Sequence, residues 1–163
     1  MLDKQEDKLA DAKRQGQAQF DALRALVEAL QEAVARDEHE NTTRSCKARE
    51  DAEQRIHEDA LSVEVRSAWV SVRNWSRAHG DQAAPAEYQI LLCTGGPACR
   101  IVGTLNEHCE PETAVMEIQD WFTPWTAYCP DMPEHGEDQP GLPEHSNPEE
   151  VMLAYARCFW FGE

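Results

Sequence analysis

The sequence predicts an α+β fold: an N-terminal helical arm, then a small antiparallel β-sheet meander packed by a C-terminal helix. Three observations carry this. Apolar residues recur with helical spacing before residue 40, and strand-like runs separated by short turn signals fill Tyr88–Trp125. A sharp helix start then stands at Asn147-Pro148-Glu149-Glu150.

In the first segment Leu2, Leu9, Gly16, Leu23 and Leu30 recur every seven residues, interleaved with Phe20, Val27 and Val34. The alternating steps of three and four are those of a coiled-coil seam. The seam is weak at its start, where Glu6 and Lys13 occupy a and Gly16 occupies d. Its convincing part, Phe20 to Val34, is shorter than the roughly three to four heptads of an independent coiled coil. Two readings stay open. Phe20, Leu23, Val27, Leu30 and Val34 form either a homodimer seam or one side of an antiparallel hairpin within the chain. Asp37-Glu-His-Glu-Asn-Thr-Thr breaks the pattern, and Asn41, Thr42 or Thr43 can cap a second helix. That helix carries Cys46, Ala48, Ala52, Ile56 and Ala60 on a narrow small-residue stripe.

From Leu61 the period changes. Val63, Val65 and Trp69 occupy alternate positions, as in a half-buried strand. Ser76–Pro85 reads as a polar loop. Tyr88–Cys93 and Ala98–Leu105 read as a hairpin closed by Thr94-Gly95-Gly96-Pro97. Ala114–Gln119 is a fourth strand, and the links are too short for helical crossovers, so the order is a meander. Cys129–Pro148 is acidic and proline-rich, and reads as a loop or disordered insertion. Asn147 then caps a helix with Pro148 at its first position and acids complementing the dipole. The helix presents Met152, Tyr155, Ala156 and Phe159 to the sheet, and the apolar tail Phe159-Trp160-Phe161 packs back. The organisation is thus a helical arm at 1–60 and a sheet domain at 61–163, with the Pro-rich loop at 129–148.

The formal net charge is −16, and no lysine follows Lys47. Such a balance repels nucleic-acid phosphates and anionic lipid and favours a partner with a basic surface; it serves solubility equally well. No apolar run approaches the roughly 20 residues of a membrane span. The charged N-terminus lacks the apolar stretch of a secretory signal, so a cytoplasmic setting with reduced thiols is expected.

The C-terminal block resembles a family of short proteins encoded by bacteriophages, prophages and mobile elements of proteobacteria. The likeness rests on Leu61-Ser-Val-Glu-Val-Arg-Ser, Ile90-Leu-Leu-Cys-Thr-Gly-Gly-Pro-Ala, Arg100-Ile-Val-Gly, Gln119-Asp-Trp, Thr123-Pro-Trp-Thr and the terminal Phe-Gly-Glu. It covers the chain from about residue 50 onward. It implies a phage or mobile-element origin, hence the cytoplasm of a bacterial host, and no established reaction.

No catalytic constellation stands out. His108, Cys109, Cys129, His135 and His145 lie in loops without the close ligand pairs that preorganise a zinc site, so no metal or cofactor is expected. Cys93 and Cys99 flank the hairpin turn and read as space-fillers rather than nucleophiles. The Gly-Gly turn is not followed by the helix a phosphate loop needs. Glu117 and Asp120 have no feature marking either as an acid–base catalyst. The suggestive surface is Asp120, Trp121, Phe122 and Trp125, with Arg100 nearby, because tryptophan and arginine often anchor protein interfaces. Either Trp121 or Trp125 is expected to cap the core and the other to be exposed. The functional expectation is a non-enzymatic protein that binds a host protein and inhibits a nucleic-acid-targeting defence system of the CRISPR or restriction type. Its carboxylates would occupy a basic surface in place of phosphates. An oligomeric assembly protein and an unrecognised enzyme are the alternatives.

Overall fold

The computed structural model describes residues 3–69, 84–133 and 147–162, with side chains from residue 9 onward. Helices α1 (Asp3–Glu40) and α2 (Thr43–Asp59) are followed by strands β1 (Ser62–Ser67), β2 (Pro85–Cys93), β3 (Ala98–Thr104), β4 (Val115–Gln119) and β5 (Thr126–Tyr128). Helix α3 (Pro148–Ala156) closes the described chain. The strands lie in the order β1-β2-β3-β4-β5, each antiparallel to the next. The α+β meander read from the sequence is therefore the observed fold, with one further strand, β5.

Strand alternation divides the sheet into two faces. Tyr88, Ile90 and Leu92 of β2, Cys99 and Ile101 of β3, and Met116 and Ile118 of β4 are buried on one face. The helices cover that face. Helix α1 packs against β3, β4, α2 and α3, and its stripe Ala12, Gly16, Phe20, Leu23, Val27 is buried. Phe20, Leu23 and Val27 belong to the same core cluster as Ile90, Ile101, Met116 and Tyr155, with Leu30 packed at its margin and Ile56 entering from α2.

This corrects the reading of Phe20, Leu23, Val27, Leu30 and Val34 as a homodimer seam. The first three are buried in the chain's own core, which α2, the sheet and α3 build together, and a helix of a second copy could reach them only by displacing these elements. Val34, farther along α1, is half-exposed. A helical stripe specifies an apolar partner without specifying which one; here α1 forms the intramolecular hairpin with α2, the second of the two readings, and the pair packs on the sheet and α3. Gly16 is the clearest sign. A Cβ there would lie 2.8 Å from Ile118 Cγ2 and 3.1 Å from the Tyr128 ring, so the apparent defect in the heptads is where the helix backbone approaches β4 and β5. The helical segment and the sheet share one core.

Helix α1 runs on to Glu40, through the residues read as a break, and the chain turns at Asn41 (φ 45°). Thr42 is the N-cap of α2, accepting from Ser45 N while Ser45 Oγ accepts from Thr42 N. Buried Ser45 also donates to Asp37 Oδ1 at 2.8 Å, and Arg49 pairs with Asp37, tying the hairpin together. Ser45, Ala52 and Ile56 line its buried edge, whereas Cys46 is exposed. In α3 the Asn147 side chain accepts from Glu150 N, as its Asn-Pro-Glu-Glu start implies. Val151, Met152, Tyr155 and Ala156 are buried. The Tyr155 hydroxyl donates to Asp59 Oδ2 at 2.8 Å, joining α3 to the end of α2. Phe161 docks on Tyr88, ring centroids 4.8 Å apart, while Trp160 points outward. Strand β1 ends at Ser67, before the exposed Trp69. Most of the Ser76–Pro85 loop and of the Pro-rich 129–148 segment lies outside the described residues.

Candidate functional site

Among the described residues, the sheet face opposite the helices is lined by charged and polar side chains interspersed with Val102 and Val115. A row of side chains crosses four strands on it. Gln89 donates to Glu64 at 2.6 Å, Arg100 donates to Gln89 at 2.9 Å, and Arg100 pairs with Glu117 at 2.7 Å. One register step away, Arg66 pairs with Glu87. The Arg66 guanidinium, by hydrogen bond and charge, holds the Glu87 carboxyl below its usual range, and Glu87 raises Arg66 in return. The row borders a shallow groove of about 420 Å³ whose floor includes Val102 and Val115.

The candidate residues gather at one end of this face. Ala98 pairs with Gln119, so the Thr94–Pro97 turn and the link from β4 to β5 leave the sheet side by side. Trp121 closes that gap. Its indole lies on Gly96, where any Cβ would fall within the ring. The second glycine of the turn is therefore a seat for the tryptophan.

The link is an internally bonded turn. Thr123 N and Thr123 Oγ1 both donate to Asp120 O, Asp120 N donates to Thr123 Oγ1, and Trp121 N donates to the Asp120 carboxylate at 2.7 Å. Gln119 Nε2 donates to Thr123 O and ties the turn to β4. These bonds place Phe122 at the third turn position with φ 63°, a left-handed conformation that favours glycine and costs other residues about 1 kcal/mol or more. Its ring is fully exposed and 6.4 Å from that of Trp121, which is itself 62% exposed. Two adjacent aromatic rings thus stand in solvent on a hydrogen-bonded turn.

Arg100 has a different place from the one expected. Its guanidinium lies 4.2 Å from the centre of the Trp125 ring and is held by Gln89 and Glu117. It supports Trp125 through a cation–π contact and is not a free anchor. The expectation that one tryptophan caps the core is also corrected. Trp121 sits on the turn glycine and Trp125 on Arg100, because the chain leaves β4 toward the open face. Asp120, Trp121 and Phe122 form one presentation turn, and Arg100 with Trp125 forms its buttress. The left-handed Phe122 was the informative element missing from the sequence reading; a Phe in a segment bounded by Asp120 and Thr123, both turn-forming residues, was its only trace.

The cysteines read as space-fillers are held protonated by burial. Burial pushes the Cys99 thiol up to about 12 and Cys158 up to about 11, and raises Cys93 as well. Such thiols are poor nucleophiles. Cys93 and Cys99 face each other across the bulged end of the β2–β3 pair, and Cys99 fills the core. Among the described residues no three His, Cys, Asp or Glu side chains come together in a set that could hold a metal ion. His135 and His145 lie outside the described residues. Among the described residues, no helix is long and apolar enough to cross a membrane.

Searches against family models, curated proteins and solved structures returned no match for this chain.

Proposed function

We propose that this chain is a non-enzymatic interaction protein whose contact with its partner is the Asp120–Trp125 turn. The observation that carries the reading is Phe122, a large apolar residue held fully exposed in a left-handed conformation beside the exposed Trp121. The Phe122 ring buries no surface in the core. Glycine would remove the strain, and a polar residue would remove the exposed apolar surface. Backbone strain of this kind persists where surrounding bonds enforce it and tends to mark functional positions. Tryptophan is among the residues that most often anchor protein interfaces, and phenylalanine is enriched in their cores.

The partner is a host protein with a basic surface. Supporting this, the chain carries a net charge of −16, which speeds encounter with a positive surface and suppresses others. The finer reading is a nucleic-acid-targeting defence effector whose basic channel is occupied by this chain's carboxylates, the aromatic turn supplying specificity. The likeness to phage and mobile-element proteins supports that setting. The test is nucleic-acid cleavage by a panel of CRISPR and restriction effectors with and without the protein. Inhibition of at least one effector, lost in Phe122→Gly, is expected. No effect across the panel would remove the nuclease partner.

A further inference from the structure

The sheet has two outer edges of unlike character. β5 is three residues long, and its Tyr128 hydroxyl donates to Gln17 of α1. β1 is six residues long, and among the described residues it is paired on one side only, with β2. Its six residues contain no proline or lysine, two of the devices that blunt a free edge; the charges it does carry, Glu64 and Arg66, are opposite in sign, and its pairing with β2 is regular up to Arg66. Four of the large apolar side chains exposed among the described residues lie along or beside it: Leu61 at 57%, Val63 at 37%, Val65 at 47% and Trp69 at 103%. Strand alternation places Val63 and Val65 toward the helical face, opposite Ile90 and Tyr88 of β2. It places Glu64 and Arg66 on the open face.

From this edge we infer that β1 pairs antiparallel with β1 of a second copy of this chain, about a two-fold axis through Val65. The order Val63-Glu64-Val65-Arg66 is self-complementary in that register alone. With Val65 facing Val65, Glu64 of each copy faces Arg66 of the other, and Val63 faces Ser67. Extended by two residues, the same register sets Leu61 opposite Trp69. Displacing it by two residues faces either Glu64 with Glu64 or Arg66 with Arg66, and like charges directly opposed disfavour pairing. A one-residue slip sets charges against valines. The occupant is therefore a second copy rather than an arbitrary extended peptide, which would meet neither the charge order nor the apolar stripe.

The pairing joins two five-stranded sheets into one. The row Glu117–Arg100–Gln89–Glu64 continues into Arg66 and Glu87 of the other copy, and its symmetry mate runs back. The interface is isologous, as closed dimers require, and it leaves the Phe122 turn, three strands away, free to bind in each copy.

Charge-swap variants of the full chain test this, with mass measured by sedimentation velocity over a dilution series. The parent is expected to be a dimer that dissociates on dilution. Arg66→Glu alone sets two carboxylates opposite each other at both cross-strand contacts, and Glu64→Arg alone sets two guanidinium groups there. Each variant by itself is therefore expected to be a monomer. An equimolar mixture of the two restores both opposite-charge pairs and is expected to form the heterodimer, which misfolded variants could not do. A parent that stays monomeric overturns the inference and leaves the edge to a strand of another protein. Single variants that still dimerise, or a mixture that stays monomeric, overturn the register.

Discussion

Phe122 can be exchanged for glycine without touching any packed atom, because its ring is fully exposed and its φ is already in the region glycine favours. Relief of left-handed strain opposes the extra freedom glycine gives the unfolded chain. Phe122→Gly is therefore expected to leave stability within about 1 kcal/mol of the parent, measured by urea denaturation. Gly96 stands at the opposite extreme. Gly96→Ala drives a methyl into the Trp121 indole, and the ring must leave its seat. The expected cost is about 1–3 kcal/mol, with Trp121 becoming more exposed in fluorescence quenching. Parental stability in Gly96→Ala would show that Trp121 is not seated there. The sequence displayed these residues but not their dependence on one another: glycines beside Pro97 signalled a turn, while the ring lying on Gly96 comes from a link 25 residues downstream.

At the scale of the elements, periodicity told helix from strand well. The hairpin, the β4 run and the Asn147 cap were legible because each has a local cause: alternation, a glycine turn, and an N-cap followed by proline. β5 was not, because Thr126-Ala-Tyr128 is too short to alternate. The placement of α1 was not legible either. Its heptads are equally satisfied by another helix or by a sheet, and only Gly16 separates the two. Gly16→Leu sharpens that distinction. In a coiled coil it fills a vacant core position and strengthens the dimer. Against β4 and β5 it meets Ile118 and Tyr128 and should destabilise the fold by about 1–3 kcal/mol. A lower urea midpoint with no tighter self-association through α1 is the expected outcome; a stabilised Gly16→Leu protein would support the coiled coil.

Among the described residues a helical layer covers one sheet face, and burial beneath it makes the core's titratable groups resist ionisation. Cys99 and Cys158 are raised above the ordinary thiol value of 9.0 by burial, and Tyr88 and Tyr155 are raised above 10.0. Each raised group favours the fold fully below its unfolded pKa. That contribution is lost as pH rises from there through the folded value. These groups should make stability fall above about pH 9, the fully buried Cys99 thiol contributing a slope of up to about 1.4 kcal/mol per pH unit. Urea midpoints at stepped pH check this, and Cys99→Ala should make the fall between about pH 9 and about pH 12 shallower. A midpoint rising with alkaline pH would contradict the placement of these groups.

The charge of the whole molecule and the aromatic turn together define the proposed role, and the exposed Phe122 ring can be removed without touching packed atoms. The most direct measurement is parallel affinity capture from infected or lysogenic cells, using the parent and Phe122→Gly at equal loading and low salt. We expect the parent to enrich a host protein with a basic surface and Phe122→Gly, equally folded, to lose it. Retention of the same protein by both baits would contradict a role for the Asp120–Trp125 turn in binding.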